Sequence, residues 1–111
     1  GNVIFLSSVV GKIGAMGSSN YSSSKSAMYG LTKSLALENV KKNILINSIS
    51  PGYINIGMGT EFDKKMKEKI KNTIPLGKFG EIQDIINITD FLIEKNNYMT
   101  GNNIDINGGI I

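Results

Sequence analysis

Tyr21 and Lys25 stand four residues apart, and Ser8 precedes the tyrosine by thirteen. On a helix, positions i and i+4 share a face about one turn apart. The phenol and the ammonium can then point into the same space. A phenol ordinarily holds its proton to a pKa of about 10, and a neighbouring cation favours the phenolate. Such a pair can give a proton to a substrate oxygen or take one away. Ser8 offers a hydroxyl to hold that oxygen. With four Tyr and twelve Lys in the chain, the spacing by itself carries little weight, because short motifs recur by chance. The surrounding elements have to supply the rest of the argument.

Composition narrows the chemistry. The chain has 111 residues, 41% hydrophobic and 19% charged, with a formal net charge of +3. These values suit one small globular domain or part of a larger one. Cysteine and histidine are both absent. That removes disulfides, thiol nucleophiles, Ser-His-Asp chemistry and most zinc sites. Acid–base work near neutral pH then falls to Tyr, Lys, Asp or Glu. All twelve basic residues are lysine. Without arginine, the usual bidentate reader of bases and phosphates, nucleic acid is not an expected partner. No apolar run is long enough for a membrane span, so no membrane role is expected. The lack of cysteine fits a reducing, cytoplasmic setting.

The order of elements reads as strand, helix, strand, helix, helix, strand, which implies an α/β arrangement around a parallel sheet. Residues 2–6 (Asn-Val-Ile-Phe-Leu) predict a strand buried on both faces, and Ser7-Ser8 mark its C-terminal end. Residues 9–20, with Gly11, Gly14 and Gly17, read as a loop. A helix is expected over 21–39, with Ala27, Met28, Leu31 and Leu35 as its apolar face. Its many small residues suit either tight packing on a sheet or a subunit interface. A strand over 44–49 follows, broken by Ser50-Pro51-Gly52. In open α/β sheets ligands bind at the C-terminal strand ends, so this second turn can face the same crevice as Ser8. Residues 60–72 predict an amphipathic helix with Phe62, Met66 and Ile70 on one side. Five lysines crowd between Lys64 and Lys71. They read as a solvated face or as a docking surface for an acidic partner. The glycine-flanked region around this helix reads as a lid. A helix over 81–95 carries the stripe Ile82, Ile85, Ile86, Thr89, Leu92 and Ile93. Residues 103–107 alternate polar and apolar and read as the last strand.

Three motifs coincide: Ser-Ser ending a strand before a Tyr-x-x-x-Lys helix, Asn-Ser-Ile-Ser-Pro-Gly after the next strand, and Tyr-Met-Thr-Gly-Asn-Asn-Ile-Asp-Ile-Asn-Gly-Gly near the end. Together they resemble the short-chain dehydrogenase/reductase family, in particular the bacterial-type β-ketoacyl-[acyl carrier protein] reductases. The resemblance runs through all 111 residues. It implies the C-terminal half of a Rossmann-type doubly wound parallel sheet, residues 1–111 being the catalytic half of one domain. It implies an NAD(P)H-dependent carbonyl reductase, with NADP favoured over NAD, acting on a small or carrier-bound 3-oxoacyl thioester. Tyr21 resembles the family's acid/base, Lys25 the residue that holds the nicotinamide ribose, and Ser8 the hydroxyl that positions the substrate oxygen. Pro51, Gly52 and Ile54 resemble the turn whose backbone meets the nicotinamide. A homodimer or homotetramer through the 21–39 helix is implied as well.

Two departures stand out. The family usually carries Thr two residues beyond the Ile54 position; Ile56 stands there and its side chain neither donates nor accepts. The glycine-rich dinucleotide loop, the residues that choose between NAD and NADP, and the family's catalytic Asn have no counterpart. Gly11, Gly14 and Gly17 give G-x-x-G-x-x-G, the wrong spacing for that loop. The chain is therefore expected to be a fragment of a longer reductase, unable alone to bind a dinucleotide in the family's way. Two alternatives are a sugar or polyol dehydrogenase, suggested by the unusual 55–59 loop, and an inactive, truncated, oligomerising remnant.

Overall fold

The computed structural model describes residues 1–56 and 61–111. The expected helix start at Thr60 and most of the 55–59 loop lie outside the described residues. Three strands, β1 (Asn2–Leu6), β2 (Leu45–Pro51) and β3 (Asn103–Ile106), form a parallel sheet in the order β1-β2-β3. Register runs from Asn2 opposite Leu45 to Leu6 opposite Ile49, and from Ser48 opposite Asn103 to Pro51 opposite Ile106. The expected α/β class holds. A short helix α1 (Val10–Ile13) and a long helix α2 (Ser19–Asn39) join β1 to β2. A 3-10 turn (Val40–Lys42) and Asn43, in the left-handed region at φ 56°, end that crossover. Helices α3 (Lys64–Thr73) and α4 (Ile82–Asp90), with a π turn over Phe91–Lys95, lead to β3.

Central β2 is buried from Ile46 through Ser50. β1 differs from its expected burial on both faces: Val3 is 38% and Leu6 55% exposed. Among the described residues β1 is an edge strand, and the elements packed on its two faces leave its apolar side chains partly uncovered. β2 also runs further than expected. Ser50 and Pro51 stay in the strand because Pro51 needs only its carbonyl there, which accepts the Val9 N–H at 2.9 Å. The break comes one residue later, at Gly52.

The 9–20 loop contains one helical turn, α1. Gly11 makes it possible: a Cβ there would lie 2.9 Å from the Lys25 carbonyl carbon and the Ser26 nitrogen. α1 thus rests directly on the α2 backbone. The buried side of α2 is only partly the expected one, since Met28 and Leu35 are half-buried. Ala27 and Leu31 are exposed, whereas Ser22, Lys25, Tyr29, Thr32, Ala36 and Asn39 turn inward. These positions recur at helical spacing. Their polar atoms are largely satisfied locally: Thr32 Oγ1 donates to Met28 O at 2.6 Å and Asn39 Nδ2 to Leu35 O at 2.8 Å. A small, polar face lets α2 lie close to a strand that itself presents Ser48 and Ser50. On α4 and the π turn the covered stripe is Ile85, Ile88, Thr89 and Leu92; Ile82, Ile86 and Ile93 face outward. α3 starts at an Asp63 cap that accepts the Met66 N–H at 2.7 Å, and Met66 itself is 45% exposed. A small apolar cluster of Val9, Ile74 and Ile110, with Val10, Tyr53 and Ile70 against it, sits beside the C-terminal strand ends.

Candidate active site

The strand ends meet at a cleft of about 360 Å³. Ser8, Tyr21, Lys25, Pro51, Gly52 and Ile54, the six residues singled out in the sequence, all line it. Ser7, Val9, Val10, Ile56 and Phe62 complete much of the wall. A larger cavity of about 660 Å³ lies beyond Tyr53, against Phe79, Asp84 and Asn107, and holds none of those six.

Each polar group in the cleft is held by a different element. Helical pitch puts Tyr21 and Lys25 on one stripe, with the Lys25 ammonium 5.7 Å from the Tyr21 ring centroid. Lys25 Nζ also donates to the Leu6 carbonyl at 2.8 Å, tying the stripe to the end of β1. An ammonium has three donors, so donors remain for a ligand. Tyr21 is 39% exposed. Ser8, at the end of β1, is 9% exposed. Its Oγ accepts the Val10 N–H at 3.2 Å, which leaves its own proton to donate. Ser7 faces the other way, its hydroxyl donating to Lys25 O at 2.8 Å. This serine was legible as part of the Ser-Ser pair but not as an anchor of α2.

Gly52 has a local explanation. A Cβ there would come within 2.8 Å of Asn107 Cα. Its missing side chain makes room for the end of β3, and Gly52 N donates to Ile106 O at 2.8 Å. Ile54 bridges to Gly80, which brings the loop before α4 against the cleft rim. Ile56 turns tightly, its N–H reaching Ile54 O at 2.8 Å, and adds an apolar wall. Phe62 was expected as a face of the fourth element; it stands ahead of α3 and in the cleft. Tyr29 was not singled out, although it lies one turn beyond Lys25 on the same stripe. Its hydroxyl donates to Ser8 O at 2.9 Å.

Known proteins resemble the chain along its whole length. A family model described as Enoyl-(Acyl carrier protein) reductase matches residues 1–111. The chain is 41% identical over 111 residues to the 3-oxoacyl-[acyl-carrier-protein] reductase FabG of Aquifex aeolicus, covering 99% of this chain and 45% of that protein. It is 39% identical over 111 residues to the (3R)-3-hydroxyacyl-CoA dehydrogenase of Rattus norvegicus, covering 99% of this chain and 43% of that protein. The FabG reductase of Rickettsia felis is 38% identical over 112 residues, covering 100% of this chain and 46% of its own length. The chain thus spans less than half the length of these curated relatives. With a family model matched along its whole length, the chain belongs to the short-chain dehydrogenase/reductase family.

Proposed function

We propose that the protein carrying this chain is an NAD(P)H-dependent carbonyl reductase that converts a 3-oxoacyl thioester to the 3-hydroxyacyl form. Residues 1–111 are then the catalytic half of one Rossmann-type domain. The observation that carries the reading is the convergence of Ser8, Tyr21 and Lys25 on one cleft at the strand ends. Names of relatives support the substrate class, since both 3-oxoacyl-[acyl-carrier-protein] reductases and a (3R)-3-hydroxyacyl-CoA dehydrogenase are among them.

The donor set suits the nicotinamide end of such a cofactor: an ammonium with free donors beside a phenol, against the apolar Val9, Ile54 and Ile56. A bound nicotinamide supplies hydride to the carbonyl carbon. The chain's own residues do the rest. Ser8 donates its free proton to the substrate oxygen and orients it. Tyr21 delivers the proton that turns the developing alkoxide into a hydroxyl. Lys25 holds the ribose and keeps a positive charge beside the phenol. Donors fixed in advance act mainly by stabilising the charge that develops on oxygen. NADP is favoured by resemblance. The exposed lysines of α3, just past Phe62, suit an acidic carrier that presents the acyl chain at this cleft.

The test is turnover of the native protein with acetoacetyl thioester against a panel of keto-sugars, each with NADPH and NADH. Reduction of the thioester, faster with NADPH, is expected. Preference for a keto-sugar would move the protein to the sugar and polyol dehydrogenases. No turnover of any substrate would favour an inactive remnant. The intact mass of the native protein addresses the half-domain reading: about 12 kDa, the 12.0 kDa of this chain alone, would contradict it.

A further inference from the structure

Behind the cleft lies a set of polar groups that the steps above do not use. The Ser8 carbonyl accepts two hydrogen bonds, from Gly11 N–H at 3.0 Å and from the Tyr29 hydroxyl at 2.9 Å. The first begins α1; the second comes from α2 and is the one side-chain bond on that carbonyl among the described residues. Tyr29 is itself held from two sides. The Lys12 ammonium lies 5.9 Å from its ring centroid, and Lys12 is paired with Asp105 of β3. Ser50, fully buried in β2, has its hydroxyl 3.4 Å from the Tyr29 oxygen and donates to Asn103 Oδ1 at 2.9 Å.

We infer that Tyr29 is a positioning residue for Ser8, acting through the Ser8 main-chain carbonyl. This rests on the reductase reading of the cleft. Ser8 lies just past the end of β1, where the chain leaves the sheet. Its side chain points correctly only while the Ser8–Val9 peptide keeps its tilt. Val9 N–H bonding to Pro51 O fixes one end of that peptide, and Tyr29 fixes the other. A phenol that needed only to be satisfied has Ser50 at hand. Bonding instead to the residue whose hydroxyl enters the cleft couples three strands and two helices to one donor. Hydrogen-bonded groups linked in this way act as a unit, so their effects do not add.

Tyr29→Phe keeps the ring and its stacking on Lys12 and removes only the hydroxyl. In the native protein, with whichever carbonyl substrate turns over, kcat should fall about five- to tenfold, the scale of one lost hydrogen bond, with KM within about twofold. In a Ser8→Ala background the same change should alter kcat by less than about twofold. Equal fold-losses in both backgrounds would overturn the inference and leave the reductase reading intact. Full turnover by Tyr21→Phe, or no turnover of any substrate, would overturn that reading and the inference with it. Ser50→Ala, which spares Tyr29 itself, is the second variant should circular dichroism find Tyr29→Phe unfolded. It should lower kcat about two- to threefold, again without effect once Ser8 is alanine.

Discussion

At the residue scale, the phenol of Tyr21 is the group on which turnover should depend most. Tyr21→Phe removes one hydroxyl from a half-exposed helical position, so the fold should persist while kcat drops by roughly 10²- to 10⁴-fold, the usual range for a positioned acid. Circular dichroism beside steady-state kinetics checks both halves of that expectation. Ile56 makes the opposite case. It walls the cleft without a side-chain donor or acceptor. Ile56→Thr should tighten nicotinamide cofactor binding by about three- to tenfold, a single added hydrogen bond, read as a lower cofactor KM at unchanged kcat. Tyr21 stood out by its helical spacing to Lys25 taken with the motifs around it, and Ile56 by the family resemblance, which sets Thr at that place. Tyr29 did not. Its phenol matters through the carbonyl of Ser8, 21 residues earlier in sequence, and no local pattern encodes that meeting.

At the element scale, the crossing of α1 on α2 decides where Ser8 and Lys25 sit. Gly11 has no room for a side chain, since a methyl group placed there would lie 2.9 Å from backbone atoms of Lys25 and Ser26. Gly11→Ala should force the two helices apart and cost about 1–3 kcal/mol, as overpacking does, measured by urea denaturation of the native protein. Because the displaced atoms belong to Lys25, activity should fall with stability. On α3 the lysines lie on a helix capped by Asp63. Asp63→Ala should cost about 1 kcal/mol of helix stability, seen as faster amide exchange at Met66. The existence of α2 and α3 was readable from apolar spacing, whereas α1 lies in residues that read as a loop. Which side of α2 and α3 faces inward was only partly readable. In α2, Ala27 and Leu31 belong to the apparent apolar face yet point outward, because the sheet side is set by how closely the helix approaches the serines of β2.

At the scale of the whole molecule, the outward residues of α2 acquire a consequence. Leu31 is 41% and Leu37 80% exposed, and Leu37 lines a surface groove with Lys33, Val40 and Thr100. The family resemblance implies association through this helix, so the native protein is expected to self-associate through that face. Leu37→Lys should then shift a dimer or tetramer toward monomer, as measured by light scattering across a concentration series. An unchanged mass would remove α2 from the interface. No described helix is long and apolar enough to cross a membrane.

The order of the strands and the longer helices, the Tyr21–Lys25 stripe, and the placing of Ser8 and Pro51-Gly52 at successive strand ends were legible in the sequence alone. Those features follow from helical pitch, strand alternation and turn chemistry, which act over a few residues. What needed the folded chain is that β2 runs through Pro51, that α1 exists, that α2 turns Thr32 and Ala36 fully inward, and that Tyr29 holds the Ser8 carbonyl. Each of these depends on what another element presents across the gap: a carbonyl wanting a donor, a glycine yielding space, a serine small enough to approach. Complementarity of that kind is a property of two surfaces, and it arises only when the chain has brought them together.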